Sequence, residues 1–222
     1  MISELFTANV ILGILASGIR LATPYLYAAI GETFGQRSGV LNLGVEGQML
    51  LGAFAGFYMT FTTGSPWLGL LAAILVGALM GLVMGFITVT LHAEQGISGI
   101  GIFLFGLGMS DLLFQKTIGS VETVKGFQPV HIPVLSDLPV VGEVLFQHNI
   151  MVYLAFLLVP VSWYILNKTT LGLKIRAVGE NPEAADSLGV NVKGIRYFTC
   201  ILGGSLSGVA GASLSIALLN VF

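Results

Sequence analysis

WLGLLAAILVGALMGLVMGFITVTL, Trp67 to Leu91, is a run of 25 residues without a charged side chain. A helix of that length, rising about 1.5 Å per residue, crosses roughly 30 Å of hydrocarbon with room to tilt. Gly64-Ser65-Pro66 reads as a turn before it, and His92-Ala93-Glu94-Gln95 breaks it afterwards. Outward from this run the same texture repeats. Leu5–Ile30 reads as a span interrupted by Arg20 and by Thr23-Pro24, where proline is expected to kink the helix. Leu43–Phe61 reads as a second span with Glu46 near its start. Gly96–Phe114, with Asp111 near its end, reads either as a full crossing or as a re-entrant element. Ile150–Leu166 carries Pro160 and an interfacial Trp163-Tyr164 pair, and Tyr197–Phe222 is uncharged. Between them, Gly31–Asn42 reads as a polar connection. Lys116–Asn149, with Pro129, Pro133 and Pro139, reads as a surface loop.

Composition agrees. Charged residues make up 9% of the chain, against roughly 25% in a soluble domain. Apolar residues make up 55%, and there are 30 glycines. The expected fold is an all-α polytopic membrane protein with about six transmembrane helices, forming a single domain over residues 1–222. A net charge of −2 gives no reason to expect nucleic-acid binding. Cys200 stands alone in an apolar run, as a small buried hydrophobe would. Glu4 stands where a cleavable signal would place a basic cluster, so the first span is expected to serve as its own insertion signal.

The exception to this texture is a 28-residue island, Lys168–Ile195, holding four of the nine Lys and Arg residues, with Arg196 directly after it. Basic residues in short loops mark the cytosolic side, so the island is assigned inward and Lys116–Asn149 outward. Counting back through six crossings puts Gly31–Asn42 inside and the N-terminus outside. The string GENPEAADSLGV, Gly179 to Val190, sits inside the island. Asn181 is a good N-cap, Pro182 suits the first helical position, and Gly189 suits a left-handed exit. A short helix over Pro182–Leu188 is therefore predicted, with Ala184, Ala185 and Leu188 on one face. Such a helix between two spans is shaped to dock onto a cytosolic partner.

Two glycine stripes stand out: Gly77, Gly81 and Gly85, and Gly204, Gly208 and Ala212. They allow close backbone approach, either within one subunit or between two. Ionisable groups in spans usually face protein or water. Arg20, Glu32, Glu46 and Asp111 are the candidates, with Glu46 or Asp111 as possible partners for Arg20. His92, His131 and His148 are scattered and show no metal spacing. No nucleotide-binding glycine loop, nucleophile elbow or zinc-protease motif occurs, so this chain shows no means of hydrolysing ATP.

Two stretches carry a resemblance. LATPYLYAAIGETFGQRSGVLNLGVEGQMLLGAF (Leu21–Phe54) resembles the first signature of ABC-importer permeases of the branched-chain amino acid/ribose type, closest to simple-sugar and nucleoside permeases that work with a binding lipoprotein. LGLKIRAVGENPEAADSLGVNVKGIRYFTCILGGSLSGVAGA (Leu171–Ala212) resembles their cytosolic coupling loop and the span after it. Glu183, Ala184, Ala185 and Gly189 fit the E-A-A-x-x-x-G core of such loops, although the longer consensus is not matched. The resemblance implies a permease subunit of an importer for nucleosides or simple sugars in the bacterial inner membrane. It implies a second permease, separate ATPase subunits that bind ATP, and an extracellular binding lipoprotein or periplasmic binding protein. This chain would then need no cofactor of its own. Glu183, Ala184, Ala185 and Gly189 would engage the ATPase, and Asn42, Glu46 and Gln48 would line the path, with Arg20 and Asp111 as further intramembrane polar groups. Such permeases carry more spans beyond the position of Phe222, so the domain is expected to be incomplete at its C-terminal end. The alternatives are a branched-chain amino acid permease of the same superfamily and an ion-coupled secondary transporter.

Overall fold

The computed structural model describes residues 8–130 and 144–222. His131, Pro133, Asp137, Pro139 and Glu143 lie outside the described residues, as does the start of the first expected span. The helices are α1 (Ala8–Arg37), α2 (Val45–Thr63), α3 (Pro66–Gly85), α4 (Gln95–Thr117), α5 (Ile150–Lys168), α6 (Thr170–Glu180), α7 (Pro182–Ser187) and α8 (Val192–Ala212). Short π-helical stretches, Phe86–Thr90 and Ser213–Leu218, continue α3 and α8. Five of the helices are long and apolar enough to cross a membrane. The remaining long helix, α2, has 19 residues, about 28 Å, carries Glu46 and Gln48 in its first turn, and is not among those five. It packs against α3, α4 and α8, so neighbouring helices shield much of it from lipid. Five helices are therefore candidate crossings and α2 is a sixth long helix packed among them, where about six crossings were expected.

The cross-links between loops fix which helix ends lie together. The Gln95 side chain accepts from the Leu41 amide at 2.7 Å and donates to the Gly39 carbonyl at 3.3 Å. Arg196 Nε donates to the Ser38 carbonyl at 3.3 Å, and Ser38 and Thr199 hydroxyls share a hydrogen bond of 2.7 Å. The α1–α2 turn, the α3–α4 turn and the start of α8 thus share one end with the island. At the other end, the Val124 amide donates to Asn220 and the Phe127 amide to Ile216. Asn149 Nδ2 donates there to the Ala217 carbonyl at 2.8 Å. This arrangement needs α4 to run the full depth, so its 23 residues form a complete crossing and not a re-entrant element.

The glycine stripes meet each other. A Cβ built on Gly77 would run into the Gly204 carbonyl, and one on Gly204 would meet the Gly77 carbonyl and Gly81 Cα. A Cβ on Gly208 would strike the Ala73 carbonyl. The stripes are an internal seam between α3 and α8, where backbones touch because no side chain intervenes. The second of the two sequence readings, a subunit–subunit face, does not apply to them.

Two expectations change. First, α1 does not end at Ile30 but continues to Arg37 through the supposed polar connection. Gly31 is buried there against the Gly203 backbone, which hides a helical glycine inside a loop-like string. Pro24 lies inside α1, where the Thr23 hydroxyl donates to the Ile19 carbonyl at 2.9 Å. Second, the island contains not one helix but two. The unforeseen α6 is capped by Thr169, whose hydroxyl accepts from the Gly172 amide at 3.2 Å. Its Ile175 and Val178 are fully buried.

Candidate functional site

The short helix of the island forms as its caps dictate. The Asn181 side chain accepts from the Ala184 amide at 3.0 Å, and Pro182 occupies the first turn. The Gly189 amide donates to Asp186 and the Val190 amide to Ala185, closing the C-terminus. Gly189 adopts φ 81°, the left-handed exit that a β-carbon resists. The helix ends at Ser187, one residue short of expectation, with Leu188 as its cap.

The face is different from the one expected. Ala185 turns into its own chain and is 3% exposed, whereas Ala184 and Glu183 face out. Leu188 is 84% exposed. The i, i+3, i+4 reading put Ala184, Ala185 and Leu188 together, but α7 is too short for all three to sit on one surface. Beside it, His92, Glu183, Asp186, Lys193 and Arg196 line a cleft of about 370 Å³ at the same end of the bundle.

The second constellation lies between α1 and α2. A groove of about 650 Å³ is lined by Tyr25, Glu32, Asn42, Glu46, Met49 and Leu214 among others. Asn42 organises its polar corner. Its amide donates to Glu32 Oε1 at 3.0 Å, its Oδ1 accepts from the Gly44 amide at 2.9 Å, and its Nδ2 donates to Gln48 Oε1 at 3.2 Å. Gln48 is fully buried behind the groove, and its Nε2 has no partner. Glu46 is exposed in the first turn of α2, where the helix dipole favours an acidic group.

Asn42 and Glu46 line this groove together with Glu32, which was expected as an ionisable group but not as a lining one, whereas Gln48, expected to line the path, is fully buried behind the groove and does not line it. Extending α1 to Arg37 is what places Glu32 there, and its pairing with Gln36 one turn on was the available signal. Arg20 and Asp111 do not join this group. Arg20 is exposed and donates to Ser17 Oγ at 3.3 Å, and among the described residues it has no acidic partner. Asp111 is exposed on α4 and accepts from Gln115 Nε2 at 2.8 Å. The expected pairing of Arg20 with Glu46 or Asp111 is absent: Arg20 reaches back along its own helix, and Asp111 reaches forward along its own.

The family model described as "branched-chain amino acid transport system / permease component" matches residues 14–221. The chain belongs to this permease family. A putative glucose ABC transporter permease of Haloferax volcanii is 43% identical over 209 residues, covering 92% of this chain and 63% of that protein. A guanosine ABC transporter permease of Bacillus subtilis is 38% identical, covering 86% of this chain and 63% of its own length. A nucleoside ABC transporter permease of Lactococcus lactis is 35% identical, covering 94% and 69%. The chain thus spans somewhat under two thirds of the length of the first two relatives. No solved structure matches it. Within the permease family frame, the chain is a multi-pass membrane protein with α7 and the α1–α2 groove as its two candidate functional features.

Proposed function

We propose that this permease is the membrane-spanning subunit of an ATP-driven importer for nucleosides or simple sugars. The observation that carries the reading is α7: a capped six-residue helix that holds Glu183, Ala184 and Leu188 outward at the end of the bundle shared with the island's basic residues. An isolated helix of six residues is too short to persist in water, so its caps and tertiary contacts hold it in shape. A leucine left 84% exposed beside it serves a partner's pocket.

In this reading a separate ATPase subunit binds and hydrolyses ATP, and its groove receives α7. A second permease completes the path, and an extracellular binding lipoprotein or periplasmic binding protein delivers substrate. The assembly sits in the bacterial inner membrane, with the island in the cytosol. The substrate class is drawn from the relatives named for glucose, guanosine and nucleosides.

A physical route joins the two features. α6 abuts the α1–α2 turn, because Gly179 lies against the Arg37 carbonyl and the Gly39 amide. Arg196 reaches the same turn through Ser38. That turn leads to Asn42, whose amide is held by Glu32 in the groove. A push on α7 is transmitted through these packed elements to the polar corner, switching access from one side to the other. The test is reconstitution in proteoliposomes with the ATPase from the same host, offered labelled guanosine, glucose and leucine. ATP-dependent uptake of the nucleoside or the sugar is expected. Uptake of leucine alone, or uptake driven by an ion gradient without ATP, would contradict the reading.

A further inference from the structure

A recess of about 260 Å³ opens where α1, α5 and α6 meet, at the island end of the bundle and away from both features above. Its wall is divided by chemistry. Phe34, Val159 and Leu166 form an apolar side, while Arg37, Asn167 and Arg176 form a polar one. Trp163 lies along the edge and is 57% exposed, with Lys168 Nζ 5.8 Å from the centre of its ring. Tryptophan and lysine at this position are what a helix carries at the level of lipid headgroups.

Arg176 makes the recess incomplete as it stands. Its Nε is buried and has no hydrogen-bond partner. Among the described residues, neither the Arg37 nor the Arg176 side chain has an acidic partner, and no Asp or Glu lines the recess. A guanidinium cannot shed its charge, and Arg176, half-buried with its side chain on the recess wall, leaves room there for an anionic acceptor from outside the chain. The planar fork of arginine matches phosphate oxygens in particular.

We infer that this recess binds one anionic phospholipid of the cytosolic leaflet. Its phosphate lies between Arg37 and Arg176, and the upper part of an acyl chain lies along Phe34, Val159 and Leu166. Basic pockets between transmembrane helices on the cytosolic side suit this ligand, because the headgroup supplies charge and the chain supplies apolar contact. Free phosphate would meet only the polar half. A lipid there ties the end of α1 to α6, and so braces the island on which α7 is mounted.

Trp163 reports on the site when this chain carries Trp67→Phe, which leaves it one tryptophan, and is assembled with partner subunits whose own tryptophans are replaced by phenylalanine. The assembled importer in lipid nanodiscs is given brominated phosphatidylglycerol or brominated phosphatidylcholine at equal mole fraction. Trp163 quenching is expected to favour the anionic lipid by on the order of tenfold in apparent affinity. Arg37→Gln with Arg176→Gln should bring the ratio close to one, whereas Arg37→Lys with Arg176→Lys should keep most of it. If the double glutamine variant does not assemble, Arg37→Gln alone, at an exposed position, should lower the ratio about threefold. Four results would overturn the inference. These are equal quenching by both lipids, a preference that survives loss of the arginine charges, no quenching by either lipid because another protein segment fills the recess, and full displacement of the anionic lipid by millimolar inorganic phosphate.

Discussion

The α3–α8 seam and the island helix α7 sit in one chain but are built on opposite rules. In the seam, glycines at Gly77, Gly81, Gly204 and Gly208 bring backbones into contact and leave no room for a side chain. In α7, the caps fix the backbone and leave Glu183, Ala184 and the following Leu188 exposed. Gly189 meets no atom within 4 Å where a Cβ would sit, and its left-handed φ alone demands glycine. The difference separates what holds the bundle together from what it offers to a partner. Glycine in the seam is required by neighbours, and glycine after α7 is required by the backbone.

The largest effect is expected in the seam. Gly204→Val drives a branched side chain into the Gly77 carbonyl and Gly81, and should cost at least about 3 kcal/mol or prevent assembly. Gly18→Val on α1 has open space around it and should change the unfolding temperature little. Thermal unfolding in detergent, followed by size-exclusion chromatography, compares the two. Similar losses in both variants would break the distinction between packed and open glycines.

A middle effect is expected at the groove. Asn42→Ala removes the donor to Gln48 and the acceptor for the Gly44 amide, leaving buried Gln48 without a hydrogen bond from Asn42. A loss of about 1–3 kcal/mol follows, together with a fall in uptake. Unchanged stability and uptake would show that the polar corner organises nothing.

The smallest effect is expected at the start of α4. The Glu94 side chain accepts from the Ile97 and Gly96 amides, and these hydrogen bonds hold its carboxyl below the usual carboxylate range. Because the folded value is lowered, the cap's contribution is present at neutral pH and is lost as pH falls through that lowered value. Protection of the Gly96 and Ile97 amides against hydrogen exchange, taken relative to the intrinsic rate at each pH, should fall on acidification, and Glu94→Ala should remove that dependence. A flat profile in the unsubstituted protein would contradict the capping role.

The sequence made the crossings legible because an uncharged 25-residue run has few other fates. It made α7 legible because Asn181, Pro182 and Gly189 each restrict the backbone in a known direction. It did not reveal the last turns of α1. There Gly31 and Gly35 look like loop residues, yet Gly31 is a packing contact against Gly203. The α6 helix was also hidden, because its charges mask a buried face formed by Ile175 and Val178. Of the candidate residues, Asn42, Glu46 and Gln48 gather as a group because they lie within seven positions of one another around one helix start. Arg20 and Asp111 showed the limit of a rule about cost in lipid, which says that a charge needs company but not whose. For Arg20 the company is Ser17 on its own helix, and for Asp111 it is Gln115.

The central claim is that α7 is the part of this permease that a motor subunit grips. The most direct measurement is ATP hydrolysis by the reconstituted importer, with and without substrate-loaded binding protein, for the unsubstituted chain, Leu188→Asp and Gly189→Val. The account predicts that both variants fold and insert, that Leu188→Asp loses most of the bound ATPase, and that Gly189→Val keeps hydrolysis but loses its link to uptake. Normal ATPase recovery and fully coupled uptake in both variants would contradict it.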